Sequence, residues 1–265
     1  MKMKKNQIDF GRRWLFAGTL ALFVLYSLNC FVVLPLRNML SSDILFADNL
    51  VIIDLVSLLG ELIEVAAISF FYAVLLLLIY RCGYKRGGLA FIPFAAATVY
   101  KYCANTAVSW MYEGSIPSKW AWDIVNVFFY TALELLQLFI VFLFVKGVIT
   151  LYTEKRDIRL KAARTAGYEG EAIAQDVYPF DRLYDRSNCL LRSAFICALV
   201  TVIAKEIGSV VSDVWLIVLY GLPEDPITWL FMAVNYISKV ILGFAVYFVT
   251  VWSMNILNKN TETKI

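Results

Sequence analysis

Ser57 to Tyr80 reads SLLGELIEVAAISFFYAVLLLLIY, an apolar run of membrane-crossing length with two carboxylates, Glu61 and Glu64, toward one end. A helix needs about 20 predominantly apolar residues to cross a hydrocarbon layer of roughly 30 Å, and inside lipid it must pair every backbone polar group within itself. The run meets that length. The rest of the chain agrees with it: 61% of its residues are hydrophobic, against roughly 45–50% in soluble domains. The expected fold class is therefore all-α, a polytopic integral membrane protein.

Working outward from this run, six transmembrane helices are expected, at Trp14–Leu36, Leu50–Tyr80, Leu89–Tyr112, Trp120–Tyr152, Arg192–Tyr220 and Ile227–Leu257. They make one transmembrane domain over residues 1–265, built as three consecutive helical hairpins (14–80, 89–152 and 192–257) with a cytoplasmic loop at 153–191. The leading MKMKKNQIDFGRR has the basic character of a signal-peptide head. No small-residue cleavage site follows it, and Asn29 and Cys30 run on into more apolar sequence, so a retained helix is expected.

Basic residues give the orientation. Lys2, Lys4, Lys5, Arg12 and Arg13 precede span one; Arg81, Lys85 and Arg86 follow span two; Lys155, Arg156, Arg159, Lys161, Arg164, Arg182 and Arg186 separate spans four and five. The opposite loops hold Arg37 and Lys119, with the acids Asp43, Asp48, Glu113, Glu224 and Asp225. Both termini are thus expected in the cytoplasm, with the chain in the plasma membrane. Cys30, Cys82, Cys103, Cys189 and Cys197 fall in spans or cytoplasmic segments, so no structural disulfide is expected.

The pairing into hairpins comes from self-similarity. Ala90 to Lys101 aligns without a gap to Ala194 to Lys205, matching at Ala, Phe, Ile and the final Lys. The partner helices each carry a polar pair three residues apart: Glu61 and Glu64, Glu134 and Gln137, Asn235 and Ser238. Asn29, Lys101 and Lys205 each precede the first member of such a pair by roughly thirty residues, the spacing of a two-helix repeat. Apolar helices of similar length also look alike by chance, and both readings stand. The links Arg37–Asn49, Glu113–Lys119 and Gly221–Pro226 are short, with Pro117, Pro223 and Pro226 as breakers, which makes hairpin partners antiparallel neighbours. In the long connection, EKRDIRLKAARTAG extends span four and stops at Gly167, and Ile173, Val177, Phe180 and Tyr184 form a weak stripe broken by Pro179. It reads as a segment against lipid head groups or as a docking surface for a cytoplasmic or membrane partner protein.

Charge within a span is costly and usually faces the bundle interior or a water-filled cavity, which makes each such residue a functional candidate. Asp54, Ser57, Glu61 and Glu64 lie at helical spacing on span two, Thr98, Lys101, Asn105 and Ser109 on span three, and Asp123, Asn126, Tyr130, Glu134 and Gln137 on span four. Span five offers Lys205, Glu206, Ser209 and Asp213, and span six offers Asn235, Ser238 and Lys239. At about 1.5 Å per residue, Glu61 and Glu134 lie roughly 28–30 Å from the cytoplasmic helix ends, and Glu64, Lys101, Gln137, Lys205 and Ser238 roughly 18–25 Å. Phe70–Tyr80 and Leu138–Val145 are almost wholly apolar. The expected picture is a bundle with a dry cytoplasmic half and a polar cavity opening outward. Its ligand-binding or ion-pair network would consist of Glu61, Glu64, Lys101, Glu134, Gln137, Lys205, Glu206 and Asn235.

Other polar and small residues have plain structural readings. Snorkelling accounts for Lys146. Trp110, Tyr112, Trp120, Trp122, Trp215 and Trp229 suit an interfacial belt rather than a ligand cage. Ala17 and Ala21, with Gly18 between them, suit close helix packing.

The chain has no histidine, no Gly-x-Ser-x-Gly and no phosphate-binding glycine loop, so an enzyme is not expected. Nor is a cofactor or a nucleic-acid partner. Glu61, Glu64 and Glu134 could supply oxygen ligands to a metal, but the neighbouring lysines oppose it, and no metal is expected. Carboxylates outnumber lysines in the polar zone, and a surplus buried carboxylate must take a proton or meet a cation. The expected function is a membrane transport component that binds a small cationic or zwitterionic solute, or is proton-coupled. The alternative is a non-catalytic scaffold, assembly or regulatory subunit in which the charges only glue helices together. In span number, terminal placement and the Ala17/Ala21 patch the chain resembles the substrate-binding subunits of energy-coupling-factor vitamin importers, a likeness of topology alone.

Overall fold

The computed structural model describes residues 5–42, 50–82, 84–113, 117–165, 179–220 and 226–262. Among these there is no strand. The helices are α1 (Lys5–Leu28), α2 (Leu34–Ser42), α3 (Leu50–Cys82), α4 (Tyr84–Gly87), α5 (Phe91–Glu113), α6 (Pro117–Thr165), α7 (Pro179–Tyr220) and α8 (Pro226–Glu262). Three of them begin on proline, whose fixed φ suits the first helical turn and whose missing N–H is not needed there. The expected outer-loop acids Asp43, Asp48, Glu224 and Asp225, and Ile173 and Val177 of the long connection, lie outside the described residues.

Among the described residues, four stretches are long and apolar enough to cross a membrane: Gly11–Leu40, Leu55–Tyr80, Trp120–Leu151 and Met232–Leu257. These support a membrane-embedded protein, and so does its surface. On α8, Ile241, Phe244, Phe248 and Trp252 are 62%, 59%, 64% and 65% exposed along one face, a continuous apolar stripe that a soluble monomer rarely leaves open. Polar residues dilute the two remaining expected spans, Lys101 and Asn105 in α5 and Lys205, Glu206 and Asp213 in α7.

The long helices close into a ring. α1 packs on α3, α3 on α8, α8 on α7, α7 on α6, α6 on α5, and α5 returns to α1. Between the sequence-consecutive pairs, α1 meets α5, α3 meets α8 and α6 meets α7, so the three pairs are not equivalently placed around the ring. α3 also touches α7 and α4. Its half from Phe71 to Ile79 is consequently buried on every side, which explains why that half is apolar all round rather than striped.

Helix approach is set by small residues, since lipid supplies no hydrophobic force between apolar helices and close van der Waals contact must do the work. A Cβ on Gly18 would lie 3.2 Å from both γ-carbons of Val74, and a Cβ on Gly243 would run into the Val202 side chain. Gly18 is therefore the contact residue of the small-residue patch on α1; Ala17 is exposed. In the turn after α3, Tyr84 stacks on Phe142 with ring centroids 4.0 Å apart.

Between α1 and α2 the helix widens into a π turn, Asn29–Val33. Pro35 has no N–H to give the Phe31 carbonyl, and its ring crowds that carbonyl. The preceding residue, Leu34, donates instead to Asn29, one residue further back. Turns of this kind recur at functional sites, and this one opens beside the most highly charged part of the interior.

Candidate functional site

Lys101 is 5% exposed, on the face of α5 that meets α1 and α6. Its Nζ lies 3.0 Å from Glu134 Oε1 on α6 and 3.2 Å from Glu64 Oε1 on α3. One ammonium thus bridges two carboxylates from two helices, and the remaining donors come from neighbours. The Tyr102 hydroxyl donates to Glu134 Oε1 at 2.6 Å, and Asn29 Nδ2, the first residue of the π turn, donates to Glu64 Oε1 at 3.1 Å. The rings of Tyr26 and Tyr102 stand 5.2 Å and 5.1 Å from the ammonium, close enough for cation–π attraction in a desolvated site.

The backbone around the cluster is shaped to allow this. A Cβ on Gly60 would lie 2.9 Å from Asn29 Oδ1 and 3.2 Å from Val33, so glycine lets α3 come close enough for Asn29 to reach Glu64. α1 and α5 are tied at the same level by Ser27 Oγ and the Tyr100 hydroxyl, 2.6 Å apart, and by Cys30 Sγ donating to the Lys101 carbonyl at 3.8 Å. Four segments, α1 with its π turn, α3, α5 and α6, therefore converge on one ion cluster.

The cluster is not internally balanced. Two carboxylates face one ammonium, a formal charge of −1. Both donors to Glu134 address Oε1, while its Oε2 is buried without a hydrogen-bond partner, as are the Tyr26 hydroxyl and the hydroxyls of Thr98 and Thr131, three residues from Lys101 and Glu134 respectively. Unsatisfied buried oxygens are uncommon in native structures and each calls for a reason.

Among the expected site residues, Glu64, Lys101 and Glu134 are brought together. Gln137, one turn along α6, belongs to a neighbouring neutral network: its Nε2 donates to the Tyr72 hydroxyl at 3.0 Å and to Thr201 Oγ1 at 3.1 Å. Glu61 and Asn235 are exposed. At about 100° per residue, Glu64 lies about 40° around α3 from Gly60, which packs against Asn29 and Val33, whereas Glu61 lies about 100° from it and turns away from the seam. Glu206 is half-buried on α7, and Lys205 lines a separate crevice between α3, α7 and α8 together with Lys239. That crevice has room for about one water molecule, and Glu64, Lys101 and Glu134 are not among its walls. Glu64, Lys101 and Glu134, then Gln137, then Lys205 thus belong to three adjoining polar sites. Among the described residues no three His, Cys, Asp or Glu side chains group to hold a metal ion.

Tyr26, Tyr72, Tyr102 and Thr201 complete these networks without having been singled out from the sequence. Asp213 also has a partner of this kind, accepting from the Tyr236 hydroxyl at 2.6 Å, as does Asp123, which accepts from Trp110 Nε1 at 2.7 Å. Tyrosine alternates between apolar body and polar tip, and the only available signal was position: Tyr26 and Tyr102 lie three and one residues from Asn29 and Lys101.

Comparison with protein-family models, with curated proteins and with solved structures finds no match for this chain.

Proposed function

We propose that the chain is a six-span plasma-membrane protein of three hairpins, both termini cytoplasmic, that works as a transport component, with the Glu64–Lys101–Glu134 cluster as its binding centre. The observation that carries this is the excess carboxylate: a cluster of formal charge −1, with Glu134 Oε2 buried and unpartnered, is suited to receive a proton or the cationic group of a small cationic or zwitterionic solute. Charges that served only as glue would be expected in equal numbers, because an unpaired buried charge is destabilising.

The second reading, a scaffold or regulatory subunit, is favoured by a different observation: Lys101 already reaches both carboxylates within 3.2 Å, and Asn29 and Tyr102 each add a second donor to the same Oε1 atom of Glu64 and Glu134. Purified protein in liposomes carrying an internal pH dye separates the two. Under imposed pH gradients and against a panel of labelled cationic and zwitterionic solutes, a transport component accumulates at least one solute or moves protons, and Glu134→Gln lowers this to the level of empty liposomes while remaining folded. If the wild-type chain moves neither, the transport reading fails. If Glu134→Gln instead loses its fold, the scaffold reading gains.

A further inference from the structure

The two carboxylates of the cluster are served by different kinds of group. Glu64 Oε1 receives the Lys101 ammonium at 3.2 Å and the side-chain N–H of Asn29 at 3.1 Å, both of which only donate and so suit an ionised carboxylate. Glu134 Oε1 receives Lys101 at 3.0 Å and the Tyr102 hydroxyl at 2.6 Å, and a hydroxyl can accept as well as donate. Two more hydroxyls without a partner belong to the same neighbourhood: Tyr26, whose ring lies 5.2 Å from the Lys101 ammonium, and Thr131, one turn away on α6. The second oxygen of Glu134, Oε2, is sealed from solvent and receives no hydrogen bond.

That sealed oxygen selects among the ligands that a cluster of charge −1 can take. The ammonium group of a solute needs several acceptors and room for its own bulk, and a buried Oε2 gives it neither. A proton needs one lone pair, and the O–H it creates needs an acceptor, which a hydroxyl supplies. The charge count also closes: with Glu134 neutral, Lys101 keeps Glu64 as its single counter-ion at 3.2 Å, and the formal charge goes from −1 to 0. The ionisable groups on the surrounding helices act in both directions. Lys101 on α5 favours the charged form of Glu134 and Glu64 on α3 opposes it, while Tyr26 on α1 and Tyr102 on α5 carry no charge. α7 meets α6 where Thr201 accepts from Gln137 and carries Lys205 and Glu206, a cation and an anion, one turn further on.

Resting on the reading of this cluster as the binding centre, we propose that its ligand is a proton, bound at Glu134 Oε2, and that Glu64 is the fixed counter-ion of Lys101. Hydronium at the partly exposed Glu64 side of the cluster gives up the proton, an O–H bond forms on Oε2, and water is the leaving group.

The test is infrared difference spectroscopy of the purified full chain as the buffer is acidified, which reads the C=O band of each carboxyl that takes a proton. Wild type should gain a band that Glu134→Gln lacks and Glu134→Asp restores. Glu64→Gln leaves Lys101 to Glu134 alone and should move that band to lower pH without removing it. Tyr102→Phe deletes a donor to the ionised form and should move it to higher pH, a shift that a merely structural role for Tyr102 does not produce. A spectrum undiminished in folded Glu134→Gln, or a band that Glu64→Gln removes instead, overturns the assignment. If Glu134→Gln does not fold, a titration that Tyr102→Phe and Glu64→Gln both leave unmoved overturns it equally. The outcome separates from that of the transport reading: a chain with the Glu134 band that moves neither solute nor protons in liposomes keeps the proton site and loses transport, whereas one that accumulates a cationic solute and lacks the band keeps transport and loses the proton site.

Discussion

Replacing Lys101 with methionine keeps the length and bulk of the side chain and removes only its charge. Two ionic contacts of 3.0 Å and 3.2 Å are lost, and the formal charge of the cluster goes from −1 to −2, with no other ion pair to either carboxylate among the described residues. The side chains of Glu134 and Glu64 are only 16% and 25% exposed, so water compensates poorly. Removing one partner from a buried ion pair generally costs about 3–5 kcal/mol, and the partial exposure of Glu64 places Lys101→Met near the lower end, about 3 kcal/mol. The assay is equilibrium unfolding in mixed detergent micelles with increasing SDS, run as a double-mutant cycle with Glu134→Gln. If the cost is that of stranded negative charge, Glu134→Gln should return about 1–3 kcal/mol in the Lys101→Met background. A cost for Lys101→Met below about 0.5 kcal/mol, typical of surface positions, would refute the reasoning, and so would strictly additive effects.

Gly60→Ala places a methyl 2.9 Å from Asn29 Oδ1, so the same unfolding assay should show a loss of about 1–3 kcal/mol and a smaller coupling between Asn29 and Glu64. Gly147→Ala meets nothing within 4 Å and should be neutral or stabilising by up to about 1 kcal/mol; a loss would mean that α6 is packed differently there. Gln137→Leu removes the donor to Tyr72 and Thr201, but those two hydroxyls still bond each other at 3.2 Å. Its cost should therefore stay near 1 kcal/mol, well under that of Lys101→Met, as read by the SDS midpoint.

The sequence made the helical class legible because lipid leaves the backbone few options, and 20-residue apolar runs announce themselves. It also singled out Glu64, Lys101 and Glu134, since charges in such runs are rare enough to be sought as partners. What it could not deliver was azimuth. Glu61 and Glu64 are three residues apart and looked like one face, yet Glu64 is in the cluster and Glu61 is exposed, because the close approach at Gly60 decides which side of α3 is the seam. The ring order was equally hidden: Lys205 matches Lys101 in the alignment, but α7 lies between α6 and α8, so Lys205 faces a different crevice. The π turn had a visible cause, Pro35 within an apolar run, whose consequence reaches back to Asn29. Tyr26, Tyr72 and Tyr102 carry no such signal, because tyrosine in an apolar helix usually reads as packing, and the hydroxyl partners of Tyr72 and Tyr102 lie on other helices.

The central claim, that Lys101 and Glu134 are joined in a buried cluster on which the bundle depends, is tested most directly by exchanging their charges. Lys101→Glu alone places three carboxylates together, and the yield of folded protein extracted from membranes should fall steeply. Lys101→Glu combined with Glu134→Lys restores one ammonium between two carboxylates and should recover most of that yield. If the exchanged protein is no better folded than Lys101→Glu by itself, the two residues are not partners and the account of the site is wrong.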